Sequence, residues 1–220
     1  MGDLSGSEIP PITHHPARVT AVVLAAGAGR RMGAPKLLLP FRGKPLLEWT
    51  LDLVESLPLE RRLIVLGAHA DTILKEIFGL HSSPLTHHPS PATRHGLPWE
   101  VLINPDWEEG MGSSLGLAAR HVEGGMLVFL GDMPEVPREA ARAVLSLVGD
   151  RPVAPSFRGR RGFPIYLPPG LRPQLLGLRG DVGARELIRG NCELIPWPDP
   201  GVLRDIDTEL DLRASLGRNA

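Results

Sequence analysis

Between Val19 and Ala26 the chain carries no charge, and it then passes directly into Gly27-Ala28-Gly29-Arg30-Arg31-Met32-Gly33-Ala34-Pro35-Lys36. A run with nothing to present to water predicts a strand buried on both faces, and so an interior place in a parallel sheet. The small residues that follow let backbone N–H groups come close to a ligand, and glycine adopts positive φ without a Cβ penalty. Arg30, Arg31 and Lys36 add cations to that loop, and the combination predicts a cradle for a polyphosphate. At roughly 4 Å and an effective dielectric near 20, each cation–phosphate contact is worth about 4 kcal/mol before desolvation, enough to orient a triphosphate.

Two familiar phosphate loops do not fit. A dinucleotide fingerprint needs G-x-G-x-x-G, and Gly33 arrives one residue late and is followed by Ala34-Pro35. A P-loop needs G-x-x-x-x-G-K-[ST], yet Lys36 follows Pro35, and the Gly43-Lys44 pair is followed by Pro45. Bulk properties narrow the classes further. A chain of 220 residues suits one domain with a substantial core. Its formal net charge of -1 argues for neither nucleic acid nor an anionic membrane as partner. The single cysteine, Cys192, suits a reducing cytoplasm and reads as an apolar filler on a strand. Residues 1–17 read as a loose polar tail, His14 and His15 included, with no apolar core for a signal peptide, and no run approaches a membrane span.

The rest of the chain alternates strand and helix as far as residue 150, which predicts an open, mainly parallel sheet flanked by helices. After Leu37 to Phe41 and the turn Arg42-Gly43-Lys44, Pro45 opens a helix with Leu46, Leu47, Leu51 and Val54 as its core stripe. Leu63 to Leu66 predicts a second buried strand, and Asp71 begins a helix burying Ile73, Leu74, Ile77 and Phe78. His69 falls between them, at the ligand edge of such a sheet, and reads as an ordinary loop histidine. From Leu80 to Pro98 there is no period. This segment, with His81, His87, His88 and His95, is expected to be a mobile surface loop rather than a metal site. Val101 to Ile103 is a third strand. Beyond it, Asn104 to Leu115 sets glycines and serines ahead of a helix over Leu117 to His121, which suits either an anion or base edge, or simply a capped helix.

Met126 to Leu130 is the longest pure apolar strand, and Gly131-Asp132-Met133-Pro134 follows it. A carboxylate just past the carboxyl end of a buried strand lies where open α/β sheets bind ligands, and it needs a partner there. Mg²⁺ shared with triphosphate oxygens is the natural one, with a turn or capping role as the alternative. Pro137 opens a further helix. Past Asp150 the strands shorten. Phe157 to Tyr166 reads as a glycine-turned hairpin carrying Arg160 and Arg161, and Gly180 to Arg185 precedes a helix ending near Arg189. These arginines are either solvated or a second anion site for a phosphorylated acceptor. In Asp205-Ile206-Asp207-Thr208, alternation sets both carboxylates opposite Ile206, and Asp207 is a candidate cap for the last helix.

The opening stretch resembles the L-A-A-G-x-[SG]-x-R-M-G-x-x-K start of the MobA/MocA-like nucleotidyltransferases. Asn104 to Leu115 resembles the N-P-x-W-x-x-G-M-x-x-S-L block of the MocA-like branch, and Gly131 to Pro134 its metal motif. Gly159 to Pro164 and Gly180 to Arg185 resemble its acceptor-side motifs, and Asp205 to Thr208 its D-[IV]-D-T ending. The resemblance runs from Val19 to about Leu212, with two departures: the segment from Leu80 to Pro98 is longer than the family usually has there, and Phe163 stands where the family more often has His. It implies a Rossmann-like, three-layer α/β/α fold of the nucleotide-diphospho-sugar transferase type, with one antiparallel strand in the later half. The implied domain spans 18–216, with a nucleotide-binding half at 18–150 and an acceptor-binding half at 151–216.

The resemblance also implies roles. Leu24, Ala25, Ala26, Gly27, Gly29, Arg31, Lys36, Gly67, Asn104, Ser114 and Gly131 would bind a nucleoside triphosphate, with Arg31, Lys36 and Asp132 catalytic. Asp132 with Asp207, or less favourably Asp205, would hold Mg²⁺. Arg161, Gly162, Gly180, Asp181 and Arg185 would receive the acceptor. The implied reaction transfers CMP from CTP to the phosphate of a molybdopterin-type cofactor and releases pyrophosphate, with Leu24-Ala25-Ala26-Gly27 favouring cytidine over guanosine. A recipient molybdoenzyme or its chaperone is the implied protein partner. Another NTP, another phosphorylated acceptor such as a sugar phosphate, and a non-catalytic nucleotide-binding accessory role are the alternatives. The residues themselves form no convincing Ser–His–Asp set or Cys–His pair, which fits a reaction whose nucleophile is an already ionised phosphate.

Overall fold

The computed structural model describes residues 19–29, 35–80, 89–178, 180 and 187–217. The expected N-terminal tail, residues 30–34 of the phosphate loop, with Arg31, and residues 181–186, with Asp181 and Arg185, lie outside them. The uncharged run forms β1 (Val19–Ala25), buried along its whole length. It pairs in parallel with β4 (Arg61–Leu66) on one side and with β7 (Gly125–Leu130) on the other. Beyond β4 come β6 (Leu97–Ile103), parallel, and β5 (Ser90–Arg94), antiparallel, at one edge. Beyond β7 come β10 (Ile165–Leu167), antiparallel, then β8 (Val153–Phe157) and β11 (Glu193–Pro196). The two-residue β9 (Arg160–Arg161) closes a hairpin on β8. A separate short hairpin pairs β2 (Pro40–Phe41) with β3 (Lys44–Pro45).

The mixed sheet is mostly parallel and is flanked by helices, with β10 as the expected antiparallel strand and β5 and β9 added by peripheral hairpins. The alternation of β1 divides the core in two. Val19, Ala21, Val23 and Ala25 face one layer, which contains α1 (Leu46–Glu55), α2 (Ala70–Phe78) and α4 (Arg138–Ser146). Val22 and Leu24 face the other, which contains α3 (Met111–His121) and α5 (Arg172–Leu176). After β1 the chain steps outward through β4 and β6, then returns to β7 on the far side of β1. Strand order therefore reverses at β1, and the carboxyl ends of β1 and β7 open the crevice where such sheets take ligands. Among the described residues, no helix is long and apolar enough to cross a membrane.

Several local readings change. Pro45 is the residue before α1 rather than its first residue. The helix after the glycines and serines starts at Met111, six residues earlier than the apolar stripe suggests, so those residues form its first turn. The segment from Leu80 to Pro98 is not loop throughout: β5 and β6 make a hairpin turning at His95-Gly96, while His81, His87 and His88 lie outside the described residues. The hairpin escaped a hydropathy reading because its inward positions are Ala92 and Arg94. Arg94, 4% exposed, is buried by pairing with Asp52 and Glu55 at 2.7 Å each and with Glu48 at 3.5 Å. Glu55 also accepts from Trp99 Nε1 at 2.9 Å. Cys192 precedes β11 rather than lying on a strand, and burial pushes its thiol up.

The last helix, α6 (Glu209–Leu216), is capped by Thr208 and not by Asp207. Thr208 Oγ1 accepts from the Asp211 amide, and Asp211 Oδ2 accepts from the Thr208 amide, a reciprocal box. Asp207 is thereby left to point elsewhere.

Candidate active site

Four parallel strands end at one edge of the sheet, and each hands the chain to a segment of the site. From β1 come Ala26 to Gly29. Ala68 N donates to the Ala26 carbonyl at 3.1 Å, and His69 Nε2 lies 3.0 Å from the Ala28 carbonyl. The segment after β4 thus braces the glycine loop, and His69, which the sequence leaves as a bland loop residue, is half of that brace. Gly67 sits where a Cβ would fall 2.5 Å from the Ala26 carbonyl oxygen and 2.7 Å from Trp107 Cβ, so close packing accounts for the glycine. Gly29 has φ +58 and would crowd Lys36 Cβ, which brings the two ends of the loop together. Gly131 N is hydrogen-bonded to the Leu24 carbonyl, tying the end of β7 to β1.

At the centre stands Lys36, 10% exposed, whose Nζ donates to Asp132 Oδ2 at 2.7 Å and to Asp207 Oδ1 at 2.8 Å. Burial alone would lower the Lys36 pKa, but Asp132 and then Asp207 outweigh it and raise it above the usual lysine range. Asp132 and Asp207, 75 residues apart, are further joined through the backbone, where Ile206 N donates to the Asp132 carbonyl at 3.0 Å. Asp205 is more exposed; burial first, then the charges of Asp207 and Asp132, push its carboxyl up. Two carboxylates thus grip one ammonium, and a third, Asp205, lies near enough to feel all three charges. That excess of negative charge on oxygen donors, already converging on a cation, fits a hard divalent metal held by Asp132 and Asp207.

Two adjoining cavities share Leu24, Met111 and Leu130. The smaller, about 240 Å³, lies among Ala26, Gly27, Trp107, Gly110, Ser114 and Asp132. The larger, about 510 Å³, has apolar walls of Leu115, Val128, Ile165 and Leu167, with Arg160, Arg161, Gly162, Phe163 and Asp205 around them.

The structure therefore brings together Leu24, Ala26, Gly27, Ser114 and Asp132 at the first cavity, and Arg161, Gly162 and Asp205 at the second. Ala25 differs: its side chain packs in the opposite layer with Val23 and Leu47, so only its backbone faces the crevice. Asn104 is buried and engaged, with Nδ2 on Ser113 Oγ and Ser114 Oγ at 2.9 Å each and Oδ1 accepting from Asp106 N. It orders the first turn of α3 and reaches the cavity through Ser114. Gly162 passes so near Val202 that a Cβ would fall 2.3 Å from its carbonyl oxygen. Gly180 docks on α3, its carbonyl accepting from Gly112 N at 2.9 Å. Trp107 and Met111 line the site without having been assigned a role from sequence. Their place just past the carboxyl end of β6 was the available signal.

A buried sheet with a glycine loop, a lysine and converging aspartates at its carboxyl edge defines an α/β nucleotide-binding protein. Residues 21–195 match the model of the MobA-like NTP transferase domain, and the chain belongs to that family. It is 34% identical to nicotine blue oxidoreductase of Paenarthrobacter nicotinovorans over 86% of this chain and 92% of that one. It is 31% identical to purine catabolism protein PucB of Bacillus subtilis over 85% and 90%. The fold superposes on Rv0371c of Mycobacterium tuberculosis with a TM-score of 0.75 at 25% identity, covering 91% of this chain and 98% of that one. A manganese complex of the same mycobacterial protein gives 0.70 at 23% identity, covering 91% and 98%.

Proposed function

We propose that this chain is a divalent-metal-dependent nucleotidyltransferase that moves CMP from CTP to the phosphate of a molybdopterin-type acceptor. The observation that carries the reading is Lys36 clamped between Asp132, which lines the smaller cavity, and Asp207, two residues from Asp205 on the larger one. The smaller cavity, walled by Ala26, Gly27 and Trp107, takes the base and ribose, which leaves the triphosphate along Gly27 to Gly29 toward Lys36. The larger takes the acceptor, with Arg161 beside its phosphate and its ring system against the apolar wall.

The acceptor phosphate oxygen forms a bond to the α-phosphorus of the NTP as the bond from that phosphorus to the β-phosphate bridging oxygen breaks. Pyrophosphate leaves with the electron pair. The nucleophile is ionised at neutral pH, so no general base is required, and the protein's task is to align two anions and neutralise the leaving group. Lys36 supplies one positive charge there, and Arg31, which lies outside the described residues, is its expected companion. Bound at Asp132 and Asp207, Mg²⁺ would offset charge on the triphosphate oxygens.

A second reading follows the name of the Paenarthrobacter relative, nicotine blue oxidoreductase: the apolar wall of the larger cavity would hold an organic compound for oxidation or reduction. One experiment separates the two. Pyrophosphate release is measured with each NTP, Mg²⁺ and molybdopterin or a sugar phosphate, beside consumption of reduced nicotinamide with a conjugated dye. Pyrophosphate release that requires CTP and molybdopterin supports transfer. Release with a different NTP or acceptor corrects the specificity, and nicotinamide oxidation without pyrophosphate overturns the reading. Nucleotide binding with neither reaction would point to an accessory role.

A further inference from the structure

Glu135 lies three residues past Asp132 and lines neither of the two cavities, yet its side chain is only 9% exposed. Its Oε1 accepts from Arg42 Nη2 at 2.7 Å, and its Oε2 accepts from Arg204 Nη1 at 3.1 Å and from Ser215 Oγ at 3.4 Å. Each partner belongs to a different arm of the site. Arg42 stands at the tip of the β2–β3 turn that follows Lys36, and its Nη2 also donates to the Ser215 carbonyl at 3.0 Å. Arg204 is the residue before Asp205-Ile206-Asp207. Ser215 lies on α6, which begins two residues after Asp207. The backbones close up at the same point, since a Cβ on Gly201 would fall 2.2 Å from the Glu135 carbonyl oxygen.

We propose that Glu135 is a positioning residue that sets the separation of Lys36, Asp132 and Asp207. The proposal rests on the reading of those three as the metal and phosphate groups. The segments that carry them come from residues 36–45, 131–135 and 204–217, and the sheet alone fixes only the second of these, through β7. One carboxylate shared by two guanidinium groups joins the other two to it by charge-assisted hydrogen bonds, which are short and directional. A neutral group at the same place would leave Arg42 and Arg204 facing each other without the anion that gathers them.

The test uses the full chain and Mn²⁺ as probe, with binding followed by loss of the free-ion electron paramagnetic resonance signal. Exchange of the Ile206 amide is followed by NMR. Partners that orient metal ligands typically cost about 10–100-fold in metal affinity when removed, so Glu135→Gln is expected to weaken Mn²⁺ at least tenfold. Ile206 exchange should accelerate, while the KM for acceptor stays unchanged. Arg204→Gln, at a more exposed position, should move Mn²⁺ the same way, and Arg204→Lys should recover most of the affinity. Unchanged Mn²⁺ affinity in Arg204→Gln overturns the proposal even if Glu135→Gln fails to fold. So does faster Ile206 exchange without a change in Mn²⁺ binding, or a wild-type chain that binds no Mn²⁺. A wild-type chain that binds Mn²⁺, weakens as expected in the variants and yet releases no pyrophosphate would sink the nucleotidyl-transfer reading and leave the role of Glu135 standing.

Discussion

Two buried cations in this molecule are each held by converging carboxylates, and they differ in almost everything that follows. Arg94 is gripped by Asp52, Glu55 and Glu48 where the β5–β6 hairpin lies on α1, and Lys44 reaches Asp52 from the other side. Lys36 is gripped by Asp132 and Asp207 at the carboxyl edge of the sheet, beside two cavities. In the first cluster three carboxylates meet arginine, lysine and the Trp99 indole at the amino end of β6. In the second two carboxylates share one lysine where the parallel strands end. An acidic cluster with a histidine nearby, as Asp52, Glu55 and His95 form, is therefore no guide to chemistry by itself. Position on the sheet is what separates a staple from a site.

The comparison breaks most visibly if the staple turns out to matter to turnover. Removing one partner of a buried ion pair typically costs about 3–5 kcal/mol because the stranded charge stays desolvated. Arg94→Met leaves Glu55, itself 8% exposed, with only the Trp99 indole and the His95 ring as partners, and is expected to lose stability toward the lower end of that scale in urea unfolding while the folded protein keeps normal kcat. A specific loss of kcat in folded Arg94→Met protein would contradict the division. Lys36→Ala should show the reverse. Loss of one group that stabilises transition-state charge typically costs about 10²–10³ in rate, and pyrophosphate release should fall by that factor. Its stability should drop less than that of Arg94→Met, since Asp132 and Asp207 keep access to water. Near-normal turnover in Lys36→Ala would remove the proposed mechanism.

The two clusters should also part at high pH. Burial alone would push the Asp52 carboxyl up, but hydrogen bonds from Lys44 and Arg94 outweigh it and hold it below the usual range. The stability it adds is complete above its unfolded value of about 3.9 and is lost as pH falls through the lower folded value. Lys36 is shifted upward, so its contribution is complete below an unfolded value of about 10.4 and is lost only as pH rises through the still higher folded value. Above that value the Ile206 amide is expected to lose protection selectively, while the β5 amides, pinned by an arginine that stays charged, keep theirs. Simultaneous loss of both would show a single cooperative unit.

That contrast also explains how much could be read from the chain. The buried opening strand, its glycine loop and Asp132 were legible because each is a local pattern: an uncharged run, small residues, a carboxylate at a strand end. The grip of Asp207 on Lys36 depends on residues 171 apart, and only family resemblance pointed to it. The β5 strand was illegible because burial of Arg94 inverts the hydropathy that marks a core position. Ala25 was placed with the ligand residues, although the period of two sends it to the opposite face from Leu24 and Ala26. The apolar wall of the larger cavity draws on β7, β10 and α3, and no single segment carries its shape.

Arg161 sharpens the comparison from the side of a cation that lines a cavity. It is half-buried on β9 and lies beside the larger space, with Arg160 further out. A hydrogen bond to a charged group is worth about 1.5–3 kcal/mol, so Arg161→Ala should raise the acceptor KM about tenfold or more and leave the KM for NTP nearly unchanged. The opposite pattern would mean that the two cavities have been assigned the wrong way round.

The smallest expected effect asks what holds Asp207 in place. If the helix behind it did, then loosening the first turn of α6 would disturb the Lys36 cluster; if its own partners do, the helix can fray without consequence. Thr208→Ala removes the side-chain acceptor for the Asp211 amide, and losing such a cap typically costs about 1 kcal/mol. Asp207, however, is fixed chiefly by Lys36 at 2.8 Å, and the residue before it is tied to the Asp132 carbonyl; the bonds from α6, the Asp211 carboxylate on the Asp207 amide at 3.3 Å and Ser215 on Glu135, are ones that Thr208→Ala does not remove. Thr208→Ala is therefore expected to lower the urea midpoint slightly and to leave pyrophosphate release at the wild-type rate. A fall in rate larger than the stability loss would show that Asp207 takes its position from the helix, and the Lys36 cluster would then be less self-contained than the Arg94 staple.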